Sequence, residues 1–314
     1  MKTYCIFEDD HENFMPTNET LKSKKAMEDC GVICLGVTDF FENSNIESIN
    51  AEDCVIVWIW VHDPDHQKIL FNLNCRKFLK NIDTNKSDRI LFDKERDTLD
   101  KNVYEAVLLT YCSEKHSSFL KSIGQNVINF PHLIDFDDSR FSSNSKQYDV
   151  IISGQISSKS YPVRTKIAEA LMKYSEEYKV DTIFLPHPGW RINELRHDYF
   201  GDKFVELLSF CNMTITCTGG DDSMVMKYLE SAKAFSLPVG DIPSNMPEHA
   251  KSSVVKIDDN DDEIAIMEKI SAALSDKNAL LERQKKYHDS MKSNFDIDIK
   301  MKEVLKKIRE KNYD

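Results

Sequence analysis

The sequence predicts an α/β protein with two domains, each built on a parallel β-sheet covered by helices. The chain has 314 residues, 41% hydrophobic and 30% charged, which is enough for two cores and unlike a disordered chain. Strand-like apolar runs alternate with helix-like patterns along both halves, which is typical of parallel sheets. A polar stretch at residues 135–147 (DFDDSRFSSNSKQ) has the composition of a linker between the two halves.

The elements of the first half follow from the spacing of apolar residues. Apolar and β-branched runs predict strands at residues 3–8, 32–37, 54–61, 89–93 and 126–130. Apolar residues at helical spacing predict helices at residues 66–80 and 103–123. Together these elements form a first domain at residues 1–140.

The second half restarts the same alternation. Strands are predicted at residues 148–153, 181–185, 213–217, 237–240 and 253–257. Helices are predicted to begin at Pro162, to span residues 202–211, 222–235 and 262–273, and to continue from about residue 277. Pro162 suits a first helical position, where a missing N–H group costs nothing. These elements form a second domain at residues 146–285.

The net charge and the cysteine spacing argue against several classes of protein. The formal net charge of −12 argues against general nucleic-acid binding, which depends on clustered Lys and Arg. Eight cysteines occur without a CxxC pair, which indicates reduced thiols rather than a zinc or disulfide framework. Residues 1–14 carry acids where a signal peptide has an apolar core, and no run reaches the roughly 18–20 apolar residues of a membrane span. We therefore expect a cytoplasmic protein with at most peripheral membrane contact.

Residues 214–240 (TITCTGGDDSMVMKYLESAKAFSLPVG) contain the most informative pattern, which predicts a strand, a glycine turn, a helix and a strand. Gly219 and Gly220 allow the backbone to turn sharply. The helix is predicted to begin near Asp222 or Ser223, and its first N–H groups have no partner within the helix. A helix start that follows a glycine turn is a favourable place to bind phosphate.

This segment resembles the donor-binding element of glycosyltransferases of the GT-B architecture. The similarity lies in the spacing Asp222-x7-Glu230 and in the Leu-Pro-Val turn that follows Ser236. The first acid is Asp where the family usually has Glu, and Ser236 stands where the family has glycine, with one extra residue before it. Arg164, in the pattern YPVR after a strand and a glycine, also resembles the spore-maturation type of glycosyltransferase.

The resemblance implies a glycosyltransferase with two Rossmann-like domains that face each other across a cleft. It implies a nucleotide-diphosphate sugar as donor and a hydroxyl group of a glycan, glycolipid or protein as acceptor. No metal or other cofactor is expected, and the acid spacing leans toward retention of the anomeric configuration. The C-terminal helix at residues 286–314 is expected to pack back on the first domain.

Donor binding is predicted for residues near the strand ends of the second domain: Gly154, Lys159, Arg164, His187, Gly219, Gly220, Asp222, Ser223, Lys227 and Glu230. Glu230 is placed on the ribose, because a carboxylate accepts two hydrogen bonds from a diol; an ordinary surface Glu is the alternative. Asp222 is placed on the donor sugar or at the helix N-cap. Lys227 shares a helix face with Glu230, so an ion pair is its alternative role.

Positive charge at the donor site replaces the metal in this interpretation. Four cations are predicted to stabilise the departing diphosphate: Lys159, Arg164, Arg191 and Lys227. His187 ends a predicted strand and precedes Pro and Gly, so we expect its side chain at the donor site. Trp190, beside it, is a candidate for stacking on a base or a sugar.

Catalytic roles are predicted for His62, Asp222 and His187. Candidates on the acceptor side follow two strands of the first domain: Asp9, Asp10, His11 and His62. If the reaction inverts the anomeric centre, one of these groups acts as the general base.

Three alternatives stay open at this point. Asp63 and Asp65 follow an apolar strand, as the metal-binding acids of a single-domain, metal-dependent (GT-A) glycosyltransferase do, and would hold Mn²⁺ or Mg²⁺ on the diphosphate. A nucleotide-sugar epimerase has the same two-domain fold without an acceptor. A non-catalytic ligand-binding protein is the third alternative.

Overall fold

The computed structural model describes most of the chain. The described residues are 1–7, 9, 19–43, 46–58, 63–81, 103–110, 114–122, 124–136, 141–142, 144–187, 199–218 and 222–313.

Two compact units make up the chain. Unit one consists of Met1–Phe14, Thr20–Pro131 and Ile297–Asp314, and unit two consists of Met15–Glu19 and His132–Asp296. The main divisions therefore fall at residues 131–132 and 296–297, whereas the sequence predicted them at 140–146 and 285–286.

Unit one is built on a six-stranded parallel sheet. In chain order its elements are β1 (Thr3–Phe7), α1 (Glu19–Asp29), β2 (Ile33–Gly36), β3 (Cys54–Val57), α2 (Pro64–Asn72), β4 (Arg76–Asn81), β5 (Ala106–Leu109), α3 (Glu114–Ser122) and β6 (Val127–Asn129). The strand order is β2-β1-β3-β4-β5-β6, and each neighbouring pair is parallel. Strands β3 and β5 are buried along their whole length, which explains their continuous apolar sequences.

Two helices predicted in the first half are only partly right, because each predicted range holds a strand as well as a helix. The segment at residues 66–80 contains α2, which ends at Asn72, and then β4. The segment at residues 103–123 contains β5 and then α3. Short apolar runs fit both the helical and the extended pattern, so pairing within the sheet decides between them. Helix α1 was not predicted, and the predicted strand at residues 89–93 lies outside the described residues.

Unit two is built on a five-stranded parallel sheet. Its elements are β7 (Tyr148–Ser153), α4 (Pro162–Tyr178), β8 (Thr182–Leu185), α5 (Asp202–Ser209), β9 (Cys211–Ile215), α6 (Met226–Lys233), β10 (Leu237–Gly240), α7 (Glu248–Lys251), β11 (Val255–Lys256), α8 (Glu263–Ser275) and α9 (Lys277–Phe295). The strand order is β11-β10-β9-β7-β8, again with parallel neighbours.

The second half follows its predicted pattern closely. Strands β7 and β10 begin and end where the sequence places them, and Pro162 is the first residue of α4. The core of this unit packs Val150 and Ile152 of the sheet with Ile167 and Leu171 of α4, all of them buried. The predicted α/β class with two parallel sheets is confirmed.

The last helical segment is two helices rather than one. Helix α9 belongs to unit two, and α10 (Ile297–Glu310) belongs to unit one. Within unit one, Arg309 donates a hydrogen bond to the carbonyl of Cys30 at 3.1 Å. Arg76 donates to the carbonyl of Ile308 at 2.7 Å, so β4 and α10 are joined directly. Among the described helices, none is long and apolar enough to span a membrane.

Candidate functional site

The carboxyl edge of the unit two sheet carries the candidate site. Because all five strands are parallel, the connections that follow them lie at the same edge. Strand β9 lies in the middle of this sheet, between β10 and β7, so the connections after these three strands are direct neighbours.

Gly154 forms the floor of a cationic cluster just after β7. Its φ of +95° is one that glycine adopts readily. A Cβ atom at this position would lie 3.2 Å from Nη1 of Arg164 and 4.0 Å from Nζ of Lys227. The missing side chain therefore leaves the backbone open to two cations, which come from two different helices.

Arg164 is buried, with 4% of its surface exposed. Its Nη1 donates to the carbonyl of Gln155 at 3.2 Å, and its guanidinium lies 4.5 Å from the ring centre of Tyr161. The buried Nε has no hydrogen-bond partner among the described residues. A buried N–H group without a hydrogen-bond partner is destabilising. A ligand that accepts a hydrogen bond from this group would remove that cost.

Lys227 points toward β7 from the first turn of α6. Its ammonium donates to the hydroxyl of Ser153 at 2.7 Å. The pKa of Lys227 is lowered to about 8, mainly because burial disfavours the charged form; the charge of Glu230 opposes this shift, and the charge of Arg164 adds to it. Two desolvated cations are therefore held close together, in a place where an anion would relieve the cost of both.

Glu230 lies three residues further along α6 and is also buried, with 7% exposed. Its negative charge raises the pKa of Lys227 and so favours the charged ammonium. The alternative role of a solvated surface Glu is wrong, because the side chain is inside the protein.

The start of this helix differs from the prediction. Helix α6 begins at Met226, and its N-cap residue, Val225, makes no side-chain capping bond. Asp222 is therefore not the N-cap. It has a left-handed φ of 61°, and its carbonyl accepts from the N–H and the hydroxyl of Ser244, both at 3.2 Å. The N–H of Met224 donates to Asn245 at 2.9 Å, so the connection after β10 keeps this segment out of the helix.

The glycine turn itself lies outside the described residues, and this includes Gly219 and Gly220. Ser223 is fully buried, and its hydroxyl has no partner among the described residues. Asp222, in contrast, is exposed. The segment thus offers one exposed carboxylate and one buried hydroxyl close to the start of α6.

The remaining donor candidates follow β7 and β8 in the sequence. Lys159 is exposed on the turn between β7 and α4. His187 is half-buried and follows β8 by two residues. Trp190 and Arg191 lie outside the described residues.

On the acceptor side, Asp9 is the candidate that the structure describes. Its carboxylate accepts from the N–H of Thr38 at 3.2 Å and from the Thr38 hydroxyl at 2.6 Å. A Cβ atom at Gly36 would overlap this carboxylate, so Asp9 packs closely on the end of β2. The other three candidates, Asp10, His11 and His62, lie outside the described residues.

Asp63 has a structural role. It is the N-cap of α2 and accepts from the N–H groups of Asp65 and His66, at 2.8 and 3.0 Å. These backbone bonds lower the pKa of Asp63. Across the described part of the chain, no group of three or more His, Cys, Asp or Glu residues is arranged to hold a metal ion.

Three site residues were not singled out in the sequence. Ser153 receives the bond from Lys227, Asn245 holds Met224, and Asp241 accepts from Thr218 and Tyr228. Each stands at a strand end or just after one, and that position was the signal available for finding them.

Solved structures share the fold along nearly the whole chain. An α-glucosyltransferase in complex with UDP and a 13-mer DNA containing a HMU base has a TM-score of 0.61 and 11% identity, with 98% of this chain and 99% of that chain covered. A glycosyltransferase from Rickettsia africae has a TM-score of 0.61 and 12% identity, with 99% of each chain covered. HepE from Anabaena, in complex with UDP-glucose, has a TM-score of 0.60 and 10% identity, with 98% and 99% covered.

These similarities confirm the GT-B fold. The GT-A alternative is wrong as an architecture, because the chain has two parallel sheets in two units. The sequence matches no protein-family model and no curated protein.

Proposed function

We propose that this protein is a glycosyltransferase that transfers a sugar from a nucleotide-diphosphate sugar to an acceptor hydroxyl group. One observation carries the proposal. Arg164 and Lys227 converge on the bare backbone of Gly154, at the edge of a parallel sheet where such folds bind their ligands.

The electrostatics of this cluster favour a diphosphate. Arg164 is buried, and partial burial together with the charge of Arg164 disfavours the charged form of Lys227. A bound diphosphate offsets this cost and is held by charge-assisted hydrogen bonds. During transfer the same cations stabilise the negative charge that develops on the leaving nucleotide.

We propose UDP as the nucleotide of the donor. UDP or UDP-glucose is bound in similar solved structures. In this assignment Glu230 holds the ribose diol. Asp222 and His187 are placed beside the donor sugar.

The proposed reaction needs no metal ion, because Arg164 and Lys227 supply the positive charge that a metal would supply. We propose retention of configuration, from the spacing of Asp222 and Glu230. The acceptor is a hydroxyl group of a glycan, a glycolipid or a protein. A similar structure was solved with DNA, but the net charge of −12 disfavours a nucleic-acid acceptor here.

We place the protein in the cytoplasm. The seven described cysteines are free thiols, and four of them are buried. Such cysteine usage fits a reducing compartment.

A thermal-shift panel of UDP-, GDP-, CMP- and dTDP-sugars tests the donor assignment. A ligand at about 100 times its dissociation constant adds roughly 2.7 kcal/mol to the free energy of unfolding. We expect this increase with UDP-sugars. No stabilisation by any member of the panel would contradict the proposed function.

Incubation of the UDP-sugar without an acceptor tests the reaction type. Slow hydrolysis of the donor is the expected side reaction of a transferase whose acceptor is missing. Release of an isomerised nucleotide sugar would instead show an epimerase.

A further inference from the structure

Asp241 directly follows β10 and bonds to residues on either side of the connection between β9 and α6, namely Thr218 and Tyr228. At the first end, its Oδ1 accepts from the N–H of Thr218 at 2.8 Å, and its Oδ2 accepts from the Thr218 hydroxyl at 2.5 Å. At the other end, the hydroxyl of Tyr228 donates to Oδ1 at 3.2 Å and to the Asp241 carbonyl at 2.7 Å.

The tyrosine end of this connection is firmly held. Tyr228 is fully buried in α6. Burial raises the pKa of Tyr228, and the charge of Asp241 raises it further, so the phenol keeps its proton and remains a donor. The backbone of Gly240, one residue before Asp241, passes so close to Thr216 that a Cβ atom would overlap the Thr216 carbonyl.

Two described residues of the proposed donor site, Asp222 and Lys227, lie between these anchors along the sequence. Gly219, Gly220 and Asp222 follow Thr218, and Lys227 directly precedes Tyr228. A single carboxylate thus fixes Thr218 relative to the first turn of the helix that carries Lys227.

We infer that Asp241 is a positioning residue for the nucleotide diphosphate. It holds Thr218 and the helix turn that carries Lys227 in the arrangement that meets the phosphates, so that the ligand does not have to order them on binding. The inference rests on the proposed function, since it names the residue that organises the same site.

Substitution of Asp241 by Asn tests this role through UDP binding. Asn keeps one acceptor oxygen but replaces the other with an NH₂ group, which cannot accept from Thr218 or Tyr228. We expect the dissociation constant for UDP, measured by isothermal titration calorimetry, to rise about tenfold. An Asp241→Asn value within about twofold of wild type would overturn the inference.

Asp261→Asn is the matched control. Asp261 is another loop carboxylate that accepts from a backbone N–H within its own loop, that of Asp258 at 2.6 Å, and from Lys269 at 2.5 Å. We expect Asp261→Asn to lower the melting temperature without changing the dissociation constant for UDP. An equal loss of UDP affinity in both variants would show a general effect on folding and would overturn the inference.

Variants of Thr218 test the same contact from its other side. They serve as the test even if Asp241→Asn does not fold. Thr218→Val lacks the hydroxyl that donates to Asp241, whereas Thr218→Ser keeps it. We expect Thr218→Val to raise the dissociation constant about threefold or more, and Thr218→Ser to restore it. In the Asp241→Asn background, Thr218→Val should have less effect than in wild type. Unchanged UDP affinity in Thr218→Val would overturn the inference, whereas a wild-type protein that binds no UDP would overturn the proposed function as well.

Discussion

At the scale of single residues, the protonation state of Lys227 decides how strongly the site attracts an anion. Burial and Arg164 lower its pKa to about 8, so its charge is lost just above neutral pH when no ligand is present. The ammonium donates to the hydroxyl of Ser153, and the charge of Glu230 favours its charged form. Binding of UDP should therefore depend on pH.

UDP affinity should fall as the pH rises through the pKa of Lys227. If only the ammonium binds the diphosphate, the dissociation constant rises about tenfold between about pH 7 and about pH 9. Lys227→Arg keeps its charge over this range, and its UDP affinity should vary far less. Calorimetric titrations at both pH values compare the two proteins. An equally steep dependence in Lys227→Arg would assign the titration to another group.

The same pKa affects the stability of the free protein. The pKa of Lys227 is lowered from 10.5 to about 8 in the folded state. Between these two pH values the folded state therefore binds fewer protons than the unfolded state. The contribution of Lys227 to the free energy of unfolding is therefore unfavourable below about pH 8 and is relieved as the pH rises toward 10.5. Urea denaturation across this range should show that the free energy of unfolding of wild type rises with pH relative to that of Lys227→Arg.

Glu230→Gln tests the proposed ribose contact. The amide keeps one acceptor oxygen but loses the charge, so UDP affinity should fall by about 1–3 kcal/mol. Glu282→Gln, on the exposed surface of α9, is the control and should bind UDP like wild type. Equal dissociation constants for wild type and Glu230→Gln would remove Glu230 from the site.

At the scale of elements, the segment before α6 is shaped by its neighbours. Ser244 and Asn245, after β10, bond to Asp222 and Met224, and α6 begins only at Met226. Asp241 adds the bonds to Thr218 and Tyr228. The connection after β10 therefore sets the conformation of the connection after β9.

Gly240→Ala should disturb this packing. Its Cβ atom would overlap the backbone carbonyl of Thr216, which cannot move without shifting β9. We expect a loss of about 1–3 kcal/mol in the free energy of unfolding, together with weaker UDP binding. Gly31→Ala is a control in open space, although its φ of +78° is also unfavourable for alanine. Urea denaturation measures both; a smaller loss at Gly240 than at Gly31 would contradict the packing argument.

At the scale of the whole molecule, the proposed chemistry predicts activity without a metal ion. Transfer from the UDP-sugar should persist in EDTA, since protein cations and helix N–H groups stabilise the diphosphate. Rates in EDTA and in added Mn²⁺ should agree within about twofold. Complete loss of turnover in EDTA that Mn²⁺ restores would show a metal-dependent reaction.

The sequence by itself determined the class of the fold and much of the second half. Runs rich in apolar and β-branched residues predicted β7 and β10 at their observed bounds, and Pro162 marked the start of α4. Lys227 and Glu230 could be paired from their spacing, because residues three apart lie on the same face of a helix. Local periodicity was sufficient for these features.

Only the tertiary structure decided the rest. The segment at residues 103–123 contains a strand and a helix because β5 pairs with β4 and β6 in the sheet. Gly154 lies close to Lys227, and Asp241 accepts a hydrogen bond from Thr218. The residues of each pair are far apart in the sequence, so no local pattern links them. Asp222 suited a helix N-cap, but bonds from Ser244 hold it in a left-handed conformation. Such contacts arise from packing between distant segments, and packing overrides local preference when the two disagree.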